Sequence, residues 1–397
     1  MHRLFAPLLV LVAGLLLAAG SVSLPDTYWQ KPAATTATMP HDWSALEREL
    51  KPEACGQCHV EQFEAWKHSL HAHAYSPGLT GQFPGMGHKK ANDCLRCHAP
   101  LAEQQYPDGT TLRDSLAQQL AHPEGFDPAG DPEALQLPLR HAGVTCAACH
   151  VRGWHRFGPP QRQTGAVGQV SGPSHGGFFG TQDFQKSNFC ATCHQFPQSM
   201  AVNGKLLENT VNEWRQSRFA RDGVQCQGCH MPDRRHEFRG IHDPEMVRKG
   251  LVFDVVASRD GAALTLTSTW IGHAFPTYVT PRVTIRAEAL DRNGHVVASR
   301  QWPIGREVRF DNGWKEIADT RLLPGEARRY AIRKLPGEAR RVRFTVDVEA
   351  DHFYKGVYRR LLAGKLQPSA RKLIEAAVQR TKAGDYRLFE KELQLPN

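Results

Sequence analysis

The chain reads as a mainly helical and loop-rich region organised around covalently held prosthetic groups, followed by a small antiparallel β-sandwich and a C-terminal helix. Three observations predict this. The pattern Cys-x-x-Cys-His occurs five times, at Cys55–His59, Cys94–His98, Cys146–His150, Cys190–His194 and Cys226–His230, and it uses all ten cysteines. From Leu251 onward the apolar residues begin to alternate, which is the period of strands. In the last 40 residues an apolar stripe returns at helical spacing, at Leu373, Ala377 and Ala383.

The motif has a specific chemistry. Its two thiols form thioethers with the vinyl groups of a haem, and the adjacent histidine becomes the proximal iron ligand. A single Cys-x-x-Cys would also fit a redox dithiol or half of a zinc site. Five copies, each ending in histidine, do not fit those readings. Cys55, Cys58, Cys94, Cys97, Cys146, Cys149, Cys190, Cys193, Cys226 and Cys229 therefore read as haem attachment points, with His59, His98, His150, His194 and His230 as iron ligands. Five covalent haem c groups are implied. Haems also explain how a chain of 397 residues rich in Gly and Pro can build a core, since each is a large apolar body to pack around.

The start of the chain reads as an export signal. His2 and Arg3 precede an apolar run from Leu4 to about Ala19, and small residues follow at Gly20, Ser21 and Ser23. Residues 1–23 are expected to be a signal peptide or an uncleaved anchor, because the run is at the short end for a spanning helix. Haem attachment outside the cytoplasm agrees with export, so a bacterial periplasm or the outer cell surface is expected.

The formal charge of +9 is unevenly placed. Residues 251–397 hold 26 basic and 17 acidic residues, while the remainder balances at 23 of each. Haem propionates would make the first part acidic beside a basic second part. The basic residues are scattered, so no nucleic-acid partner is implied. The expected partners are redox proteins, quinol-linked or outer-membrane electron-transfer components, with possible membrane association through the N-terminal segment.

Along the chain, the haem region is expected over 24–250, the β-sandwich over 251–357 and a helical tail over 358–397. Within the first, short helices are expected around Trp43–Leu50, Val60–Ala74, Thr110–Leu120 and Asn209–Phe219. Pro123–Pro138 and Gly165–Gly180 read as loops. Trp66-Lys67-His68-Ser69-Leu70-His71 has a partial echo in Trp214-Arg215-Gln216-Ser217-Arg218-Phe219, where phenylalanine replaces the histidine. The second copy is thus expected to pack and not to ligate. Strands are expected at 252–256, 264–267, 283–289, 295–300, 327–333 and 341–349, with a hairpin turn at Asp291-Arg292-Asn293-Gly294. The tail is expected to be helical over Ser369–Lys382 and again over Tyr386–Leu393.

Each low-spin iron needs a second ligand, and neutral imidazole is the commonest. The candidates in constrained contexts are His71, His141, His175, His236, His242 and His273. His273 sits in Trp270-Ile-Gly-His-Ala-Phe-Pro276, where it would bring a loop of the sandwich onto a haem. His68 and His73 flank His71, whereas His122, His295 and His352 read as solvated and His41 lies in the lead-in, a weak context. Met86, Met200, Met231 and Met246 are alternatives that would raise the potential.

Cys55–His59 with Trp66-x-x-Ser-x-His71, Cys94-Leu-Arg-Cys-His98-Ala-Pro-Leu, Gly143-Val-Thr-Cys146 and Cys226-x-x-Cys-His230-Met-Pro together resemble one superfamily. It is the exported multihaem c-type cytochromes that include the tetrahaem cytochromes of nitrifiers, hydroxylamine oxidoreductase and pentahaem nitrite reductase. The resemblance implies a multihaem cytochrome c domain over roughly 50–245, haems packed in close pairs, and distal ligation by His71, His141, His175 and His236 or His242. Pentahaem nitrite reductase carries a lysine at its catalytic haem, and all five motifs here end in His. The crosslinking tyrosine of hydroxylamine oxidoreductase has no evident counterpart.

Two functions follow. One is an electron carrier in which His/His ligation closes each iron to substrate. The other is a haem enzyme with one five-coordinate iron acting on a small nitrogen or sulfur compound. A docking role for the basic 251–397 region is compatible with the first.

Overall fold

The computed structural model describes residues 23–33, 41, 43–110, 112–121, 137–172 and 176–396. Most of the expected export segment, His122, most of the Pro123–Pro138 loop and His175 lie outside the described residues.

Short helices make up the first region: α1 (Ala45–Arg48), α2 (Pro52–Gly56), α3 (Val60–Lys67), α4 (Pro77–Thr80), α5 (Gly87–His98), α6 (Arg113–Ala121), α7 (Cys146–His150), α8 (Asn188–His194), α9 (Thr210–Gln216), α10 (Arg218–Arg221), α11 (Cys226–His230) and α12 (Pro244–Gly250). Four of the five motifs are wholly helical, and a helical turn sets their two cysteines, three residues apart, on one face. The first motif straddles the break between α2 and α3.

The expected helix over Val60–Ala74 stops at Lys67, and a tertiary bond is the reason. The His71 carbonyl accepts from Val144 N at 2.9 Å, and Ser69 Oγ accepts from Ala72 N at 3.4 Å. The expected Asn209–Phe219 helix likewise divides at Ser217, which is extended and caps α10 through a 3.4 Å bond from Ala220 N. The Gly165–Gly180 stretch, expected as loop, contributes two short strands. They join a small sheet in the order β1 (Val151–Arg152), β2 (His155–Gly158), β4 (Phe178–Gly180), β3 (Gly168–Val170). A hairpin, β5 (Ala201–Val202) and β6 (Lys205–Leu206), completes the region.

The second region is built from β7 (Leu251–Ser258), β8 (Gly261–Ser268), β9 (Arg282–Leu290), β10 (Val296–Ile304), β11 (Arg306–Phe310), β12 (Trp314–Asp319), β13 (Ala327–Arg333), β14 (Arg341–Glu349) and β15 (Asp385–Gln394). The strand order is β13-β8-β7 in one sheet and β10-β9-β14-β15 in the other, all antiparallel. Leu264, Leu266, Val283, Ile285, Val342, Phe344 and Val346 are buried between them. Each such side chain contributes about 1.5–3 kcal/mol by leaving water. The six expected strands are present in these two sheets, and three more accompany them: β15 at the edge of one sheet and the separate β11–β12 hairpin.

The tail requires correction. Tyr386–Leu393 is not helical; it lies within β15 and pairs along the whole length of β14. Its local pattern gives way to an edge that β14 leaves open, and Leu388 is buried by that pairing. Two helices precede it, α13 (His352–Ala363) and α14 (Pro368–Ala383). Ala370, Leu373, Ile374 and Ala377 of α14 are buried, whereas Ala383 is exposed. The apolar stripe packs on the haem region. A Cβ at Gly78 would lie 1.9 Å from Tyr358 Oη and 3.2 Å from Ala377 Cβ, so only glycine admits this approach of α13 and α14 to α4.

Polar bonds join the two regions as well. The buried Arg306 bonds Glu316 at 2.8 Å and reaches the β5–β6 hairpin through the carbonyls of Val202, Lys205 and Leu206. Among the described residues no helix is long and apolar enough to cross a membrane.

Candidate haem-binding sites

Three of the five motif histidines can be placed by what faces their rings. His194 lies opposite His71 with ring centroids 6.3 Å apart, His150 opposite His236 at 6.2 Å, and His230 opposite His273 at 6.3 Å. These separations test the fit of an iron. Two metal–imidazole bonds of about 2 Å, plus roughly 1 Å from each nitrogen to its ring centre, sum to about 6 Å. Direct imidazole packing would bring the rings closer. Three pairs, each uniting a motif histidine with a histidine distant in sequence, therefore fit one iron between two rings.

The outer nitrogens are arranged to suit. His98, His150 and His230 direct Nδ1 to the carbonyls of Ala74 (3.0 Å), Phe157 (2.8 Å) and Arg239 (2.5 Å). His236 and His273 do the same to Arg234 (2.9 Å) and Ala274 (3.0 Å). A proton held at Nδ1 leaves Nε2 as the donor to metal. Desolvation keeps the rings neutral, pushing His71 down to about 3 and His150 and His273 to about 4. His194 differs: desolvation opposes its charge, but the 3.0 Å bond to Glu208, the Glu208 charge and the nearby Cys226 and Cys97 together raise it.

Of the remaining candidates, His242 turns Nε2 toward Asp351 at 3.0 Å, whereas His236 faces the motif histidine His150. His141 is buried and stacks on Tyr75 at 4.8 Å, beside the cluster formed by Leu95, Tyr106 and Cys94 of the second motif. His295 is largely exposed beside Asp291, and His352 bonds Glu349. Met86 and Met200 are exposed. Phe219 is buried against Gly272, so the Trp214 copy packs where the Trp66 copy offers a histidine.

The backbone that sets these rings was partly invisible in sequence. Gly143 has φ +61, and a Cβ there would come within 2.4 Å of the His71 carbonyl, so the glycine lets the third motif hold His71 in place. Glu213 on α9 accepts from Ala274 N (3.1 Å) and Thr277 Oγ1 (3.2 Å) and pairs with Arg321 (3.0 Å), which fastens the His273 loop to the first region. Glu208 and Lys31 were also missed. Single charged residues outside a motif carry no sequence signal.

Contacts between motifs give their order in space. The thiols of Cys55 and Cys146 lie within hydrogen-bonding reach, as do those of Cys97 and Cys193, and of Cys190 and Cys226. Lys31 Nζ sits 3.0 Å from Cys97 Sγ and 3.1 Å from Cys193 Sγ. Phe238 lies 4.2 Å from the His71 ring and 5.7 Å from His236. The first motif thus adjoins the third, the third meets the fourth across Phe238, and the fourth adjoins both the second and the fifth. The fourth motif is the branch point.

Comparison with known proteins agrees with this reading. Residues 54–121 match the family described as cytochrome c554 and c-prime. In fold, the chain is similar to a penta-heme cytochrome c552 from Thermochromatium tepidum, with a TM-score of 0.58 and 20% identity over 87% of this chain and 98% of that one. No curated protein matches the chain in sequence. The five motifs, the match over residues 54–121 and the similarity in fold support a multihaem c-type cytochrome with covalently bound haem c.

Proposed function

We propose that this protein is an exported pentahaem cytochrome that carries electrons along a branched line of closely packed haems between redox partners. The observation that carries the reading is the set of three histidine pairs at 6.2–6.3 Å. Bound haem supplies a one-electron Fe(III)/Fe(II) couple. The chain's own residues do the rest. His71, His236 and His273 take the faces opposite His194, His150 and His230, which closes those positions to substrate. His59 and His98 hold the first and second haems, for which His141 and His175 are the available distal ligands.

The sandwich contributes His273 and a basic surface. That surface suits an acidic redox partner, quinol-linked or part of an outer-membrane conduit, in an interaction weakened by salt. The apolar N-terminal run supports export to the periplasm or the cell surface. Similarity of the motifs to nitrogen-cycle cytochromes leaves the rival reading, a haem enzyme with an open iron, attached to the first and second motifs.

Haem content by pyridine haemochrome, with electron paramagnetic resonance of the oxidised protein before and after cyanide, tests the proposal. Five low-spin haems that ignore cyanide are expected. A high-spin signal that shifts on adding cyanide would give the enzyme reading in its place.

A further inference from the structure

We propose that Glu208 is a positioning residue that lowers the reduction potential of the haem held by the fourth motif, the one at the branch point. The inference rests on the haem reading above. It comes from an asymmetry: His98, His150, His230, His236 and His273 give Nδ1 to neutral backbone carbonyls, and His194 gives it to a carboxylate. A carboxylate draws the Nδ1 proton more strongly than a carbonyl does, so the ring becomes a stronger donor at Nε2. A stronger donor and a nearby negative charge both favour Fe(III) over Fe(II), which lowers the potential.

Glu208 is built into its place. Its carbonyl accepts from Phe196 N at 3.0 Å, it bridges Tyr278 of the second region, and its side chain is only 13% exposed. Low exposure limits screening of the charge by solvent. Lys31 acts with the opposite sign but at the sulfur edge, shared between Cys97 and Cys193 and the Thr192 carbonyl. Glu208 bonds the fourth-motif ring directly, and its charge reaches His98 of the second motif only through space. Because the fourth motif adjoins the second, third and fifth, its potential governs passage between branches.

The test is a potentiometric titration in which each haem is followed by its electron paramagnetic resonance signal. The wild type establishes the number of one-electron steps; fewer than five would overturn the five-haem reading, while the Glu208 inference is judged on the fourth-motif haem by itself. In Glu208→Gln, which keeps an accepting oxygen and loses the charge, one midpoint should rise and one low-spin signal should change. Any smaller rise should be confined to the second-motif haem, the remaining midpoints should stay, and Glu208→Asp should fall between. Unchanged midpoints and signals in a fully loaded Gln variant overturn the inference. Near-infrared magnetic circular dichroism of the unmodified oxidised protein gives a check without any variant. One charge-transfer band should lie at higher energy than the remaining bis-imidazole bands, and bands that all coincide would count against the proposal even if the Gln variant fails to load.

Discussion

Trp66 and Trp214 make the same bond in two places. Trp66 Nε1 donates to the carbonyl of Val144 at 2.8 Å, and Trp214 Nε1 to that of Val224 at 2.9 Å. Each carbonyl stands two residues before a motif, at Cys146 and at Cys226. The serine three residues after each tryptophan accepts from the backbone three further on, Ser69 from Ala72 and Ser217 from Ala220, both at 3.4 Å. The weak echo in sequence is thus a repeated structural unit. In each copy a tryptophan-bearing helix docks on the turn before a haem motif, 78 residues away for Trp66 and 10 residues away for Trp214.

Removing the indole donor should therefore have graded effects. Trp66→Phe retains the ring and strands a carbonyl beside a side chain that is 3% exposed, costing about 1–3 kcal/mol. Trp214→Phe, half-buried, should cost about 1 kcal/mol. Urea denaturation followed by the Soret band measures both, and equal, negligible losses would show that the bonds are incidental.

His236 and His242 offer a paired comparison. His236→Ala should turn one haem from low-spin to high-spin, because its ring faces His150. His242→Ala should leave every haem low-spin and lose only the bond to Asp351. The reverse pattern would exchange their roles.

Glu213 holds the His273 loop with three bonds while 12% exposed. Glu213→Ala should destabilise the protein by about 1.5–3 kcal/mol, the range for hydrogen bonds to charged groups. One low-spin signal should also broaden or split as His273 gains freedom. Thermal unfolding together with resonance spectra checks both effects, and a stability loss with all spectra unchanged would separate the loop from the iron.

Glu349 bonds His352 at 3.1 Å and Lys355 at 2.9 Å, and the His352 bond chiefly depresses its carboxyl to about 2. In the unfolded chain a glutamate titrates near about 4.3. The depressed value means that this stabilisation is complete above that pH and fades as the pH falls from about 4.3 toward about 2. The stability difference between wild type and Glu349→Gln should shrink from pH 5 toward zero near pH 2. A difference independent of pH in guanidinium titrations would rule the carboxylate out.

Sequence and tertiary structure each decided a different part. The Cys-x-x-Cys-His motifs were legible because covalent attachment demands fixed residues at fixed spacing. Alternating strands such as β9 and β14 were legible because a buried face imposes period two on any sequence that forms it. The edge strand β15, the early end of α3 and the partner of each motif histidine were not legible. Those features depend on which distant segment offers an unpaired backbone group or a facing ring, as Val144 does for His71 and β14 for β15. Local spacing determined that these irons have proximal histidines. The pairing of His71 with His194, and the carboxylate behind it, arose only when residues more than a hundred positions apart were folded against each other.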